Sequence, residues 1–304
     1  ALDSGEDCLT IWDLNNLVCR YIPLGCCRKP WINFAAFERY QSAYYIFPKY
    51  ENKILVFHTD SNELQEIPGY LESAEKVQCA CRVEDDVWIL PENGDVLYCY
   101  RLSDGNKRVF NIKRALRNCI YAVFYECYIY ILNMHGNVYR WDMEKEELQE
   151  IVSLENVPDE KETMGRIIGA GNKLILLPAY GSDIRILDLF TEKTEIYRDY
   201  PDDYDDQTEW WKYYGYCEDE FYYYFAASAG NYLLMIEKRT GRLAWLKLKT
   251  DSLGGKAIDL LKEETLHESD YWDLSDLLQA ESMNRCFRTA SRIGKELYLT
   301  VKNM

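Results

Sequence analysis

The amino-acid sequence predicts an all-β fold, a six-bladed β-propeller of four-stranded antiparallel blades, from three observations. The third predicted strand of each repeat ends in an apolar residue just before a polar turn, and this pattern recurs along the chain. A pair of apolar strands precedes each of these third strands. The chain also begins with a strand hairpin and finishes with a strand pair, each lacking the half that the other would supply. The apolar residues that anchor the six repeats are Trp12, Phe57, Tyr100, Trp141, Leu187 and Ile236.

The spacing of these anchors is the strongest of the three observations. Successive anchors are 45, 43, 41, 46 and 49 residues apart. A period of 40–50 residues that carries four short strands is typical of a propeller with one blade per repeat. Residues 119–151 show one such repeat in full, with breaks at 133–136 and 144–146. Helical periodicity between the strands is almost absent, which argues against a TIM barrel.

We predict a single domain, residues 1–304, that consists of the six blades in chain order. The first strand of each blade holds Ala, Gly or Ser, as expected for strands that crowd around a propeller axis. In the last blade the N-terminal hairpin pairs with the C-terminal strands, which closes the ring and removes exposed sheet edges. The approximate blade ranges are 31–68, 76–112, 119–152, 165–198, 213–248, and 286–304 together with 1–23.

The repeat resembles the kelch motif. The phrases IYILNMHGNVYRWDMEKEELQEI and LILLPAYGSDIRILDLFTEKTEIY share with kelch repeats an apolar second strand, an apolar third strand, an acidic turn and a fourth strand. The double glycine of kelch repeats is missing, and residues 240–245 resemble a bacterial quinoprotein-type blade instead. The resemblance implies a bacterial six-bladed propeller that tends to bind protein or glycan, and it carries over no catalytic residue. The double-glycine position holds Pro48, Pro91, Asn133, Pro178 and Ala226.

The net charge and the cysteine content indicate which binding partners and which cellular compartment to expect. The net charge of −16 repels nucleic-acid backbones and anionic membranes, so neither is an expected partner. No run of about 18 apolar residues is present to span a membrane. Most of the 11 cysteines fall in predicted strands and are interpreted as buried free thiols of a cytoplasmic protein. Export after removal of a signal peptide is the alternative, and a monomer is the expected state.

Two connections are longer than the repeat requires. Residues 199–212 are acidic and end near a tryptophan pair, and residues 249–285 show helical spacing that predicts two short helices within 254–284. Both connections join a fourth strand to the next first strand, so they leave the blades at the same end. We expect this end to carry function, because loops on a rigid scaffold commonly do. The other loops expected at this end hold Lys49, Glu92, His135, Tyr180 and Lys302.

The candidate ligand-binding residues lie at this end or on the inner strands beside it. Tryptophan and tyrosine side chains there could stack on a sugar ring or grip a partner loop, although alternate members must face the blade core. Arginine side chains could bind a carboxylate or phosphate, or could pair with the acidic loops. The histidine could equally be an exposed turn residue. The candidates are Trp31, Arg166, Trp210, Trp211, Tyr213, Arg285, His135 and Tyr180.

Motifs for catalysis are missing from the sequence. It contains no G-x-S-x-G elbow, no glycine-rich phosphate loop and no H-E-x-x-H motif. Three scattered histidines and acids without calcium-loop spacing predict no metal and no cofactor. The sequence therefore favours a non-catalytic binding scaffold that recognises a protein segment or a glycan. The alternative is a glycan-processing hydrolase or lyase, whose carboxylate pair would lie in the axial funnel.

Overall fold

A computed structural model describes residues 2–3, 8–13, 18–25, 34–69, 71, 76–152, 163–181, 183–202, 204, 212–227 and 232–247. Every regular element in these ranges is a β-strand, so the predicted all-β class is confirmed. The chain divides into two compact units. The first unit comprises Ala1–Ile67 with Thr250–Met304, and the second comprises Pro68–Lys249.

The first unit contains a three-stranded sheet and a four-stranded sheet. The three-stranded sheet has the order β1 (Leu2–Asp3), β2 (Cys8–Asp13) and β3 (Val18–Pro23). The four-stranded sheet has the order β4 (Phe34–Tyr40), β5 (Ala43–Pro48), β6 (Lys53–His58) and β7 (Glu63–Pro68). Leu9 and Leu24 of the first sheet region pack in one core with Phe34, Ile46 and Phe57 of the second.

The second unit contains four consecutive four-stranded antiparallel sheets. In each sheet the strands lie in chain order, as expected for consecutive strands that short turns connect. The strands are β8 (Val77–Val83), β9 (Asp86–Pro91), β10 (Gly94–Arg101), β11 (Lys107–Leu116), β12 (Cys119–Tyr125), β13 (Tyr128–Asn133), β14 (Val138–Asp142), β15 (Glu147–Val152), β16 (Thr163–Ala170), β17 (Lys173–Tyr180), β18 (Ile184–Asp188), β19 (Thr194–Tyr197), β20 (Tyr213–Glu218), β21 (Tyr222–Ala227), β22 (Tyr232–Glu237) and β23 (Leu243–Lys247).

Sheets of this kind are the blades of a β-propeller, which confirms the predicted architecture at that level. The structure describes five four-stranded blades, which we number 1 to 5 from β4–β7 to β20–β23. The helices predicted within 254–284 and the C-terminal strands predicted within 286–304 lie outside the described residues.

The hydrophobic cores of the second unit lie between successive blades. Trp88 and Trp141 pack between blades 2 and 3, Leu132 and Ile167 between blades 3 and 4, and Phe225 against blade 4 from blade 5. Blades 3 and 4 therefore bury both of their faces against neighbouring blades, which is what a repeat of this period requires.

Each blade of the second unit has two ends, because its strands alternate in direction. One end carries the connections from second to third strand and from fourth strand to the next blade, and we call it the loop face. The other end carries the turns between first and second strands and between third and fourth strands, and we call it the turn face.

An ion cluster joins the strands of blade 2 near the turn face. The carboxylate of Asp86 accepts hydrogen bonds from Arg101 Nε at 2.8 Å and Nη2 at 3.2 Å, and it also pairs with Arg108. The hydrogen bond from Arg101 holds the pKa of Asp86 below its ordinary value, although partial burial acts in the opposite direction. The Arg108 guanidinium also lies 5.9 Å from the ring centre of Trp88, so the cluster covers the apolar core.

We expect Asp86→Asn to lower the free energy of unfolding by about 2 kcal/mol at pH 7, because hydrogen bonds to charged groups contribute roughly that much. The folded pKa of Asp86 is depressed, so its contribution is present above the unfolded pKa of about 3.9. It is lost as the pH falls through the folded pKa. Urea titrations should therefore show the difference between variant and wild type shrinking below about pH 4. Asp95→Asn, at an exposed carboxylate on β10, is the control, and identical pH profiles for the two variants would contradict the expectation.

Candidate functional site

A repeated backbone hydrogen bond joins successive blades of the second unit at the loop face. At each junction an N–H at the start of the next blade's first strand is donated to a carbonyl near the end of the preceding blade's second strand. Cys119 N donates to Glu92 O at 3.1 Å, Met164 N to Met134 O at 3.0 Å, and Lys212 N to Ala179 O at 3.0 Å. The same main-chain joint therefore holds the start of each first strand to the blade before it at all three junctions.

A row of polar side chains crosses the loop face from blade 2 to blade 3. Asn93 Oδ1 accepts a hydrogen bond from Asn118 N at 3.0 Å, and Asn118 Nδ2 lies 3.4 Å from His135 Nε2. The backbone of His135 is fixed in turn, since its N–H is donated to Oδ1 of the buried Asn133 at 3.0 Å. The exposed imidazole of His135 is therefore presented from a turn whose position is set by a buried amide.

Arg166 lies on the inner strand of blade 4 between aromatic rings of the two neighbouring blades. Its Cζ is 5.1 Å from the ring centre of Tyr121 and 5.6 Å from that of Phe225. The ring of Tyr213 also contacts Phe225, edge on, with 6.3 Å between centroids. The structure thus brings two predicted site residues, Arg166 and Tyr213, together around one buried phenylalanine. Cation–π attraction orients the guanidinium there.

Tyr180 ends the second strand of blade 4 opposite Thr163, and its side chain is 37% exposed. Carboxylates of the loop face near it and at blade 2 contact cations. Asp183 Oδ1 is 3.5 Å from Arg198 Nε, and Glu92 Oε2 is 2.8 Å from Lys76 Nζ. Such partly exposed pairs contribute little to stability, and each neutralises one carboxylate of the loop face.

The start of the acidic connection packs against blade 5 through tyrosines that the sequence analysis did not single out. The rings of Tyr200 and Tyr204 stack with centroids 5.2 Å apart, and they lie 5.3 and 5.0 Å from Trp245 of β23. Tyr204 also contacts Tyr232 at 6.1 Å. Burial, and then the charge of Asp199, raise the pKa of Tyr197 beside them. These aromatic side chains anchor the start of the connection. In the sequence, the two tyrosines on either side of Pro201 are the feature from which this packing could have been predicted.

The structure describes four of the eight predicted site residues. Arg166, Tyr213, His135 and Tyr180 lie at or near the loop face of the second unit. His135 contacts Asn118, whereas Arg166 and Tyr213 share the ring of Phe225. Trp31, Trp210, Trp211 and Arg285 lie outside the described residues.

The cysteines whose side chains the structure describes form no disulfide with one another. Burial raises the pKa of Cys119 to about 12 and that of Cys99 to about 11, so both remain protonated at neutral pH. Within the same part of the chain, no three His, Cys, Asp or Glu side chains are grouped so as to hold a metal ion. The described elements also include no helix with the length and apolarity needed to cross a membrane. The free thiols are those of Cys79, Cys81, Cys99, Cys119, Cys127 and Cys217.

Comparison with solved structures supports the fold assignment. The chain is similar to the computationally designed protein Ika8, with 12% sequence identity, a TM-score of 0.52, and coverage of 80% of this chain and 81% of that one. It is also similar to PorZ, a surface component of the type-IX secretion system of Porphyromonas gingivalis, with 11% identity and a TM-score of 0.50. That match covers 81% of this chain and 31% of PorZ. At these identities the likeness shows the fold alone.

In sequence, no family model and no curated protein matches the chain. The resemblance to kelch repeats therefore stays a prediction.

Proposed function

We propose that the protein is a non-catalytic binding scaffold that recognises a protein segment or a glycan on its loop face. The observation that supports this most directly is the repeated backbone joint at three junctions of that face. It holds the start of each first strand against the preceding blade before any ligand arrives, so a ligand would not have to order these strand ends. Exposed or half-buried aromatic, imidazole and guanidinium groups emerge from this fixed frame at Tyr180, His135 and Arg166.

The scaffold is favoured over a glycan-processing enzyme by the surroundings of the loop-face carboxylates. A glycosidase needs two carboxyl groups that face one substrate bond. Glu92 and Asp183 instead each contact a cationic side chain, and they belong to blades 2 and 4. A cytoplasmic location goes with the proposal, because buried cysteines that form no disulfide suit a reducing compartment. These are Cys79, Cys81, Cys99 and Cys119.

The proposal is tested with an array of neutral and acidic oligosaccharides and a displayed library of random peptides. For a ligand selected on the wild-type chain, we expect Tyr180→Ala and His135→Ala each to weaken binding at least 10-fold, or about 1.4 kcal/mol. Phe221→Ala, on the turn face, is the matched control and should leave the affinity unchanged.

Hydrogen exchange should show the loop-face amides protected by the ligand. Equal binding by wild type and both loop-face variants would reject the assignment. New reducing ends or unsaturated sugars in the same oligosaccharides would instead support the hydrolase or lyase.

We also propose that the propeller has six kelch-like blades, the sixth being completed by the N-terminal hairpin. The support comes from β2, whose neighbour on one side is β1, paired only at Leu2 with Leu9 and at Asp3 with Cys8. Among the described strands, residues 10–13 of β2 have no partner on that side. That length of strand edge is available to a strand from the C-terminal region.

Deletion of residues 1–22 should then expose an inner-strand edge and cause aggregation or loss of cooperative unfolding. Deletion of residues 1–3 alone is the control, since it leaves β2 and β3 intact. Light scattering and thermal unfolding are the measurements. A monomeric deletion variant with an unchanged Tm would show that the hairpin closes nothing.

A further inference from the structure

The outer, fourth strand of blade 2 differs from those of the other described blades. β11 is 10 residues long, whereas β7 and β15 have 6, β23 has 5 and β19 has 4. Residues 107–117 hold five cationic side chains and no acidic one, on a chain whose net charge is −16. The five are Lys107, Arg108, Lys113, Arg114 and Arg117.

The other outer strands carry the opposite charge or almost none. β7, β15 and β19 contain glutamates and no cation. β23 contains one cation, Lys247, whose Nζ lies 5.3 Å from the ring centre of Tyr232. Charges on edge strands keep copies of a protein apart when every edge has the same sign. A cationic strand among acidic ones attracts acids instead, so protection of the edge does not account for it.

β11 also has an open main-chain edge. It is the last strand of its sheet, and its one partner among the described strands is β10. Arg101 N donates to Asn106 O at 2.9 Å, and bonded and non-bonded residue pairs alternate along an antiparallel ladder. The N–H and C=O groups of residues 107, 109 and 111 are therefore directed away from β10. An added strand can pair with groups of this kind.

Beyond residue 111 the strand bulges. Residues 112–115 lie opposite the single residue Asp95 of β10, because the register shifts there. A bulge changes the direction of the side chains that it carries. Lys113 lies in this bulge and Arg117 follows it, and both side chains are exposed. The open edge of residues 107–111 thus continues into an exposed cationic stretch.

Two of the five cations are already paired with carboxylates. Arg108 contacts Asp86 within blade 2, and Arg114 contacts Glu150 of blade 3. These contacts use the two acids that lie on the core side of the strand, and they hold both guanidinium groups in place. The remaining three cations therefore decide what the edge attracts.

These three make no carboxylate contact in the part of the chain that the structure describes. Asp95 is exposed beside the bulge, and Asp104 lies in the turn before β11, where its Oδ1 accepts a hydrogen bond from Asn106 N at 2.9 Å. Neither acid belongs to the strand itself. An added strand lies directly beside β11, so the side chains of β11 are its cross-strand neighbours. The three cations are Lys107, Lys113 and Arg117.

We propose that residues 107–117 bind an extended acidic segment of a partner protein as an added β-strand. Its main chain pairs with residues 107, 109 and 111, and its carboxylates contact Lys107, Lys113 and Arg117. The open main-chain groups suit a peptide, and the net charge of −16 repels both a nucleic acid and a second copy of the chain. This edge is separate from the loop face, so either surface can bind without the other.

The test is a displayed library of random 12-residue peptides, selected on the full chain, with Lys113→Glu/Arg117→Glu as counter-target. We expect the enriched peptides to combine Asp or Glu with β-branched residues and to lack a central proline. For a synthetic peptide from that set, Lys113→Glu and Arg117→Glu should each weaken binding at least 10-fold in calorimetry. Added NaCl should weaken binding to the wild-type chain as well.

N-methylation of the peptide distinguishes strand addition from charge attraction alone. An added strand donates its N–H groups to β11 at every second residue. Methyl groups on one alternate set should therefore abolish binding, whereas methyl groups on the other set should leave it. Lys193→Glu, at an exposed lysine of blade 4, changes the net charge equally and is the matched control. It should leave the affinity and the Tm unchanged, and the two β11 variants should also keep the wild-type Tm.

Several results would overturn the proposal. These are the absence of enrichment over the double variant, enriched peptides without acids, equal effects of the two methylated sets, and an equal loss of affinity with Lys193→Glu. Tighter binding of a short DNA duplex that depends on Lys113 would assign the strand to nucleic acid. A concentration-dependent dimer in sedimentation velocity that Lys113→Glu dissociates would assign it to a second copy of the chain.

Discussion

Gly169→Ala is expected to lower the free energy of unfolding by about 3 kcal/mol, near the upper end of the usual cost of overpacking. Gly169 lies on the first strand of blade 4 beneath the ring of Tyr125 from blade 3. A Cβ at position 169 would lie 2.8 Å from Cδ1 of that ring and closer still to Cγ and Cδ2. The ring cannot move aside freely, because the Tyr125 hydroxyl donates a hydrogen bond to Gly171 O.

Chemical denaturation of the variants measures this effect, and a double-mutant cycle isolates its cause. Tyr125→Ala removes the ring, so Gly169→Ala should cost at least 2 kcal/mol less in that background than in the wild type. Gly69→Ala is the control for glycine itself: no atom lies within 4 Å of a Cβ there, and only its φ of +67° opposes alanine. It should cost about 1 kcal/mol. Additive effects at positions 125 and 169 would show that the ring does not set the cost.

Trp141→Ala is the second substitution with a large expected effect, and it should lower the free energy of unfolding by about 4 kcal/mol. Trp141 is fully buried between blades 2 and 3, with ring centroids 6.1 Å from Trp88 and 5.8 Å from Phe110. Its deletion leaves a cavity that links two blades. Its Nε1 has no hydrogen-bond acceptor among the residues that the structure describes. Trp141→Phe removes this buried donor together with part of the volume, so it should cost only about 1–2 kcal/mol.

Equilibrium unfolding in guanidinium compares the two Trp141 variants directly. Phe190→Ala, which truncates an exposed aromatic ring, is the matched control and should change stability by less than about 0.5 kcal/mol. A loss of less than 1 kcal/mol for Trp141→Ala, or equal losses for Ala and Phe, would contradict this account of the core.

The blade pattern could be predicted from the sequence because it is local. Alternation within the strands and the anchors Trp141 and Leu187 mark third strands that the structure contains as β14 and β18. The small residues of the first strands were also predicted, from crowding at an axis. For Gly169 the structure gives the contact itself, the ring of Tyr125 from the preceding blade. Sequence reasoning could not name that ring, because the contact depends on the rotation between two blades.

The site could be predicted only in part, for a related reason. Tyr200 and Tyr204 pack against Trp245, a residue of another blade far along the chain. No local sequence pattern predicts that packing. His135 could be placed in a turn, but its contact with Asn118 depends on the preceding connection. The sequence does distinguish Phe190, since it is the apolar residue at a turn position that is otherwise polar.

The joint at the loop face is a connection that each of these blades can make whatever its side chains. Blade 3 supplies a donor at Cys119 to the blade before it and an acceptor at Met134 to the blade after it, and blade 4 does the same with Met164 and Ala179. The donor and the acceptor of the joint are both main-chain groups, so almost any side chain is compatible with it. A duplicated blade inserted at such a junction therefore arrives with both halves of its connection already built. An array of this kind can grow or shrink by whole repeats while its sequences diverge.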